Sequence, residues 1–330
     1  MVDNARAGMA LAGAPPLFVL PSGAAPLCLA DSSLVASAAM GLMTGNGPLG
    51  REPAGHFNFA APEPGSALYL EPTPKRIRVE VGGVVVTDSR RALILHESGH
   101  QPVYYFPPAD VRSELLSPSD RRTRCPKKGE ASYYTIDAGG ETVDAGAWSY
   151  LDPLPGTPPI KGLVAFYFNR MGRWLEEGEE IFGHPRDPYH RIDVRATDRH
   201  IRISLDGEAL AETTRAVGLF ESNLPARWYL PPADVSATLE PSETVTHCPY
   251  KGAAAYYSIR RGDGELGTDL VWYYAEPLDE AAGVAGLVCF FNERVDIELD
   301  GELQERPQSP WSRGVKSEPT QNADPAQTRG

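Results

Sequence analysis

The chain has only four cysteines, Cys28, Cys125, Cys248 and Cys289. They are too few for a disulfide framework, and this usage suits a reducing compartment, so a cytoplasmic location is expected. No stretch is long and uniform enough in apolar residues to span a bilayer. Positive charge is in deficit, with Lys and Arg at 31 against 44 for Asp and Glu. A uniformly acidic chain is repelled by phosphate backbones and anionic lipid, so neither nucleic acid nor membrane is expected as a partner. Two phosphate-holding devices are also missing: there is no Gly-x-x-x-x-Gly-Lys-Ser/Thr loop, and no Gly-Ser followed by an Asp-x-Asp strand.

What the chain does contain is one module written twice. Tyr104-Tyr-Phe-Pro-Pro-Ala-Asp110-Val with Cys125-Pro-Lys-Lys128-Gly and Tyr133-Tyr134 returns as Trp228-Tyr-Leu-Pro-Pro-Ala-Asp234-Val with Cys248-Pro-Tyr-Lys251-Gly and Tyr256-Tyr257. Asp110 and Asp234 lie 124 positions apart and the two cysteines 123, so the copies stay in register but for one residue. A length of 330 residues agrees with two domains at about 100–200 residues each.

Alternation sets the fold class. Ile77, Val79 and Val81 alternate with charged partners ahead of Gly82-Gly83, Ile201, Ile203 and Leu205 alternate with Arg202 and Ser204 ahead of Asp206-Gly207, and Val295, Ile297 and Leu299 alternate ahead of Asp300-Gly301. Each pattern predicts a hairpin on a two-residue turn, and the first should open its module. The apolar runs 162–168 and 286–291 fit buried strands, with Cys289 as a core residue. Helix is expected only in short pieces, such as Asp110–Leu116 with Asp110 as its cap. The protein is therefore read as mainly β.

Residues 1–70 are expected to form an Ala/Gly-rich leader and an extended arm, with Met43 or Met40 as the natural start. The modules are assigned to 71–186 and 187–303, linked near Gly183–Tyr189, and the polar stretch 304–330 reads as a disordered tail.

The repeated Tyr-Tyr-Phe-Pro-Pro-Ala-Asp-Val, the Cys-Pro-Lys-Lys-Gly turn, Tyr133-Tyr134, and Trp148-Ser-Tyr150 before Asp152-Pro153 strongly resemble the domain-of-unknown-function family 427 (DUF427), in its tandem form. The resemblance implies two small β-tent (Mss4-like) modules. Members carry a nucleotidyltransferase-like label, which no Mg²⁺-holding carboxylate pattern in this sequence supports. Related β-tent folds carry zinc on paired Cys-x-x-Cys knuckles, but each copy here has one matched cysteine, so no metal site of that kind and no other cofactor is expected.

Three groups are candidates for chemistry. His96-Glu97-Ser-Gly-His100 matches the zinc-protease string, which needs a helix to bring both imidazoles to one ion; following Ala92-Leu-Ile-Leu95 and containing Gly99, it reads as a strand end and turn. Cys125, Lys127 and Lys128, with Arg124 nearby, form a basic loop able to stabilise a thiolate or bind an anion. The same turn can equally be a plain β-turn with a buried thiol and a solvated lysine. Aromatic residues supply walls: Tyr104, Tyr134 and Trp148 in the first copy, Tyr257 and Trp272 beside Lys251 in the second. Glu97 and its twin Glu221 are retained in phase. The sequence thus points to a small, anionic or aromatic ligand held in an aromatic-lined pocket of the first module. A Cys125/Lys128/Glu97 transferase or hydrolase and a non-catalytic protein-interaction module stand as alternatives.

Overall fold

A computed structural model describes residues 42–43, 47–51, 53, 55–60, 62–222, 224–260, 264, 266–307 and 309. The leader as far as residue 41, including Cys28, and the tail from 310 lie outside the described residues, and with them the expected start at Met40 and the expected disorder of the tail.

The first copy is built from β1 (Leu68–Pro72), β2 (Ile77–Val81), β3 (Val84–Ser89), β4 (Leu93–Glu97), β5 (Val103–Phe106), β6 (Leu116–Cys125), β7 (Gly129–Ala138), β8 (Glu141–Ser149), β9 (Val164–Phe166), β10 (Arg173–Glu176) and β11 (Glu179–Glu180). A seven-stranded sheet runs β1-β4-β5-β9-β8-β7-β6, and a four-stranded sheet runs β11-β10-β2-β3. The second copy repeats both orders from Ile192 onward. The protein is mostly β, in two similar pairs of sheets. Among the described residues no helix is long and apolar enough to cross a membrane.

The hairpins form where alternation places them. Gly82 and Gly83 adopt φ of +55° and +73°, the left-handed pair that a tight hairpin turn requires. Gly82 has a second reason to be glycine: a Cβ there would lie 2.6 Å from the Ala138 carbonyl of the β7–β8 turn. The alternating Ile77, Val79 and Val81 are fully buried and pack on Tyr104, Phe106, Phe166 and Trp174, filling the space between the two sheets. The run 162–168 supplies β9 and the run 286–291 the strand Val288–Phe290, all buried.

Two local expectations are corrected. The module opens one strand earlier than its hairpin: β1 pairs antiparallel with β4, Leu68 opposite Glu97 and Pro72 opposite Leu93. The Pro/Gly-rich stretch before it hides this short edge strand. Asp110–Leu116 is not a capped helix but two single 3-10 turns, Pro108–Asp110 and Ser113–Leu115, without side-chain caps. Asp110 instead accepts from Ser89 Oγ at 2.7 Å and pairs with Arg91; Asp234 repeats this with Thr213 and Arg215. Two prolines and a strand on either side leave no room for a full helical turn.

Both faces of the large sheet are covered. One face meets the small sheet. The other carries a second apolar layer of Tyr105, Cys125, Tyr133, Trp148, Tyr150 and Tyr167, over which the loop 151–163 folds. Leu154 N donates to Lys128 O at 3.1 Å and Gly162 N to Tyr150 O at 3.0 Å, fixing that loop. This is why the adjacent Tyr104 and Tyr105 are both buried, at 2% and 1% exposure, although their side chains point to opposite faces.

Candidate functional site

The Cys-Pro-Lys-Lys-Gly segment joins β6 to β7, with Cys125 paired across the ladder with Gly129. Proline presets the turn, and Gly129 sits at φ +99°, where a side chain would be strained. A turn closed in this way sends the Lys128 side chain back over the sheet. It meets Glu97 at the end of β4, and the two form an ion pair with both residues only 7% exposed. The lysine is therefore not solvated. The second copy repeats the arrangement: Cys248 pairs with Gly252 at φ +94°, and Lys251 pairs with Glu221.

Burial disfavours the charged form of both partners, and pairing outweighs it. Lys128, then His100 and Lys127, hold the Glu97 carboxyl below the usual carboxylate range. Tyr105, Glu97 and Cys125 keep the Lys128 ammonium above the ordinary lysine value. The same balance lowers Glu221 and raises Lys251.

The second carboxylate oxygen is treated differently in the two copies. Glu97 Oε1 lies 3.4 Å from Lys127 Nζ and 3.9 Å from His100 Nδ1. Glu221 Oε1 is instead 3.1 Å from His190 Nε2, whose ring stacks on Tyr250 with centroids 3.8 Å apart. In both copies the stretch preceding the first strand straps across the turn. Lys127 Nζ donates to Gly65 O at 2.7 Å, and in the second copy the Asp187 N–H donates to Tyr250 Oη at 2.7 Å. Ser98 N to Ala67 O and Ser222 N to Arg191 O complete matching clasps at 3.2 and 2.9 Å.

Below the ion pair lies an aromatic floor. Lys128 Nζ stands 5.9 Å from the Tyr150 ring centre, Tyr105 meets Trp148 edge-on at 6.5 Å, and Trp148 packs on Tyr167 at 4.7 Å. Tyr133 Oη is satisfied by Thr123 Oγ1 at 2.8 Å. Trp148 Nε1 and Tyr150 Oη, by contrast, are buried without a hydrogen-bond partner. Burial, then the neighbouring Tyr105 and Cys125, push the Tyr150 hydroxyl well above the ordinary phenol value, so it remains a proton donor. Burial also raises the Tyr105 phenol, which Lys128 and then the Trp148 indole lower in part. The indole nonetheless falls short of hydrogen-bond geometry to that hydroxyl. In the second copy the twin indole is paired: Trp272 Nε1 donates to Tyr229 Oη at 3.0 Å.

Of the residues singled out by sequence, Glu97, Cys125, Lys128 and Trp148 come together on this outer face, with Lys127 at its edge and Lys251 and Trp272 in the corresponding place in the second copy. Arg124 is exposed on the opposite face of β6. Tyr104 and Tyr134 face the inner core, Tyr104 Oη donating to Glu176 Oε1 at 2.8 Å, and Tyr257 lies on the inner side, stacked on Tyr273 at 4.9 Å. The tyrosines on the site face are Tyr105, Tyr133, Tyr150 and Tyr167. Hairpin parity could have found Tyr133: with Cys125 opposite Gly129, every second residue from Gly129 shares the face of Cys125.

The second copy holds a pair that no repeat signal announces. Arg227 binds Glu293 through two bonds of 2.7 Å and Asn292 through one of 2.9 Å, buried beside Trp272. Burial pushes up the thiol of Cys289, which Arg227 pulls down only in part. The first copy carries Val103, Asn169 and Ala165 at the matching positions.

His96-Glu-x-x-His100 is a strand end and a turn, with Gly99 at φ +78°. His96 points away from Glu97, to Glu71 at 2.9 Å and Asp187 at 3.9 Å, while His100 Nδ1 faces the Ser98 carbonyl at 3.1 Å. Among the described residues no group of three His, Cys, Asp or Glu is placed to hold a metal ion.

No curated protein is similar enough to the chain to count as a match. A family model described as "Domain of unknown function (DUF427)" matches residues 69–177 and again 193–301, the span of the two sheet pairs. With both of its modules matched, the chain belongs to the DUF427 family, in tandem form.

Proposed function

We propose that the outer face of the first module binds a small polar molecule. Lys128 and Glu97 are its charged pair, Tyr150 and Trp148 its hydrogen-bond donors, and Tyr105 and Tyr133 its apolar walls. The observation that carries this reading is the contrast between copies: Trp148 Nε1 and Tyr150 Oη are buried and unpartnered, while Trp272 Nε1 donates to Tyr229. A buried polar group left unsatisfied costs about 1–3 kcal/mol, and sites of function are where such a cost is retained. Aromatic walls with a few convergent polar groups are the usual lining of a small-molecule site.

Cys125 enters as part of the wall, its side chain buried at 2% among the rings. The loop around Leu154 and the strap at Gly65 are the segments that must yield for entry.

The reading is tested by thermal shift of the whole protein against polar metabolites, in the wild type and in Tyr150→Phe, Trp148→Phe and Trp272→Phe. Stabilisation by a bound ligand scales as RT ln(1 + [L]/Kd), about 2.7 kcal/mol at a hundredfold excess. The expected result is a ligand response lost in the first two variants and kept in the third. A response that survives Tyr150→Phe and Trp148→Phe together would place binding elsewhere.

A further inference from the structure

We infer that the ligand of the first module is a small oxoanion, a carboxylate or a phosphate, and that Lys127 is the residue that selects for its charge. This rests on the proposed binding at the outer face. Three observations converge on it. The first is the count of charges: around Glu97 stand two ammonium groups, Lys128 in the ion pair and Lys127 at 3.4 Å. One carboxylate faces two lysines, which leaves a single positive charge to be balanced. In the second copy the matching turn position is Tyr250, and Glu221 faces one lysine and an imidazole. The Arg227–Glu293 pair adds one charge of each sign there, so the second lysine ammonium belongs to the first copy alone.

The second observation is the polarity of the unpartnered atoms. An indole N–H only donates, and a phenol hydroxyl held protonated donates as well. Trp148 Nε1 and Tyr150 Oη therefore require an acceptor. An oxygen anion supplies acceptors and the missing charge together, and charge-assisted hydrogen bonds of this kind are about twice as strong as neutral ones.

The third is exposure. Lys128 is spent on Glu97, but the Lys127 side chain is 24% exposed, and its partners are a backbone carbonyl and the carboxylate edge. It stands at the rim, where an entering anion meets it first. The same ammonium ties the strap through Gly65 O, so an anion that draws Lys127 inward also loosens the cover.

The test uses isothermal titration of the full chain with benzoate and phenyl phosphate, each against its neutral counterpart, benzamide and phenol, at fixed ionic strength. Lys127→Tyr installs the residue of the second copy, and Lys127→Arg keeps the charge. We expect one anion to bind and its neutral counterpart not to, with affinity at least tenfold weaker in Lys127→Tyr and within about threefold of wild type in Lys127→Arg, tenfold corresponding to about 1.4 kcal/mol. Which anion binds decides between planar carboxylate and tetrahedral phosphate. If benzamide or phenol binds as tightly as its anion and Tyr150→Phe abolishes it, the site stands and the charge inference falls. If Lys127→Tyr binds the anion unchanged, Lys127 is a structural clasp and the inference is overturned. If no probe binds and Tyr150→Phe merely unfolds at higher denaturant, both the inference and the binding reading fail.

Discussion

The two modules share a frame and differ in what fills it. Each keeps the Cys-Pro-x-Lys-Gly turn, the buried Lys–Glu pair and the strap across them. The second module surrounds its pair with further partners: His190 on Glu221, Tyr229 on Trp272, and Arg227 locked to Glu293. The first has Lys127, Val103 and Asn169 at the differing positions, and keeps the tyrosine beside its indole, Tyr105 edge-on to Trp148 at 6.5 Å, without the hydrogen bond. A buried ion pair is weak evidence for stability, since apolar replacements often do as well. The pair is retained in both copies, with a fuller hydrogen-bond network around it in the second module and an incomplete one in the first.

The largest test of that contrast is Arg227→Val, which installs the residue of the first copy. It leaves Glu293 buried without its cation, and we expect a loss of about 3–5 kcal/mol by urea unfolding. Adding Glu293→Asn should recover most of it, because the pair then vanishes on both sides. Recovery of less than half would mean that Arg227 acts through packing on Trp272.

Lys251→Met takes the ammonium from Glu221 and leaves it the His190 imidazole at 3.1 Å, so it should cost about 3 kcal/mol, the lower end of the range for a broken buried pair. Lys128→Met should cost clearly less, since Lys127 remains 3.4 Å from Glu97. Equal losses would erase the distinction drawn from the second lysine.

Smaller again is the tryptophan comparison. Both Trp→Phe changes remove similar ring area, but only Trp272→Phe breaks a hydrogen bond, so it should be the more destabilising by about 1 kcal/mol. Tyr150→Phe should leave stability unchanged or raise it by up to about 1 kcal/mol, since it removes an unsatisfied hydroxyl.

The pH dependence should distinguish the copies least. Glu97 and Glu221 both have carboxyls lowered from 4.5, so the stability they contribute is present above that value and lost as pH falls through the folded one. Lys128 and Lys251 are raised from 10.5, so their share is complete below it and lost as pH rises through the folded value. Glu97→Gln and Glu221→Gln should each flatten the acid limb of a stability–pH curve and leave neutral slopes alone.

Much of the frame was legible because duplication and alternation are written in the letters. The glycine and Asp-Gly turns, the two central apolar runs and the retention of Glu97 with Lys128 all follow from pattern. The face of the tyrosines was legible only at Tyr133-Tyr134, by parity from the Cys125–Gly129 turn; Tyr104-Tyr105 is apolar at both parities, and the loop 151–163 buries the side expected to be open. The Arg227–Glu293 pair was hidden because repeats draw attention to what the copies share, and this pair exists in one. The burial of Lys128 was missed for a simpler reason: nothing in a turn sequence says which way a lysine folds.

The clasp ahead of each first strand bears on how such modules can be cut and moved. His190 and Asp187 belong by position to the link between copies, yet they complete the second module's ion pair and turn. Tyr189 of the same stretch reaches back to Glu71 of the first module at 2.9 Å. A fragment trimmed to the strand at Ile192 would lose both contacts. The unit that evolution could shuffle intact is therefore longer than its sheets, and a tandem chain of this kind inherits its joints as working parts.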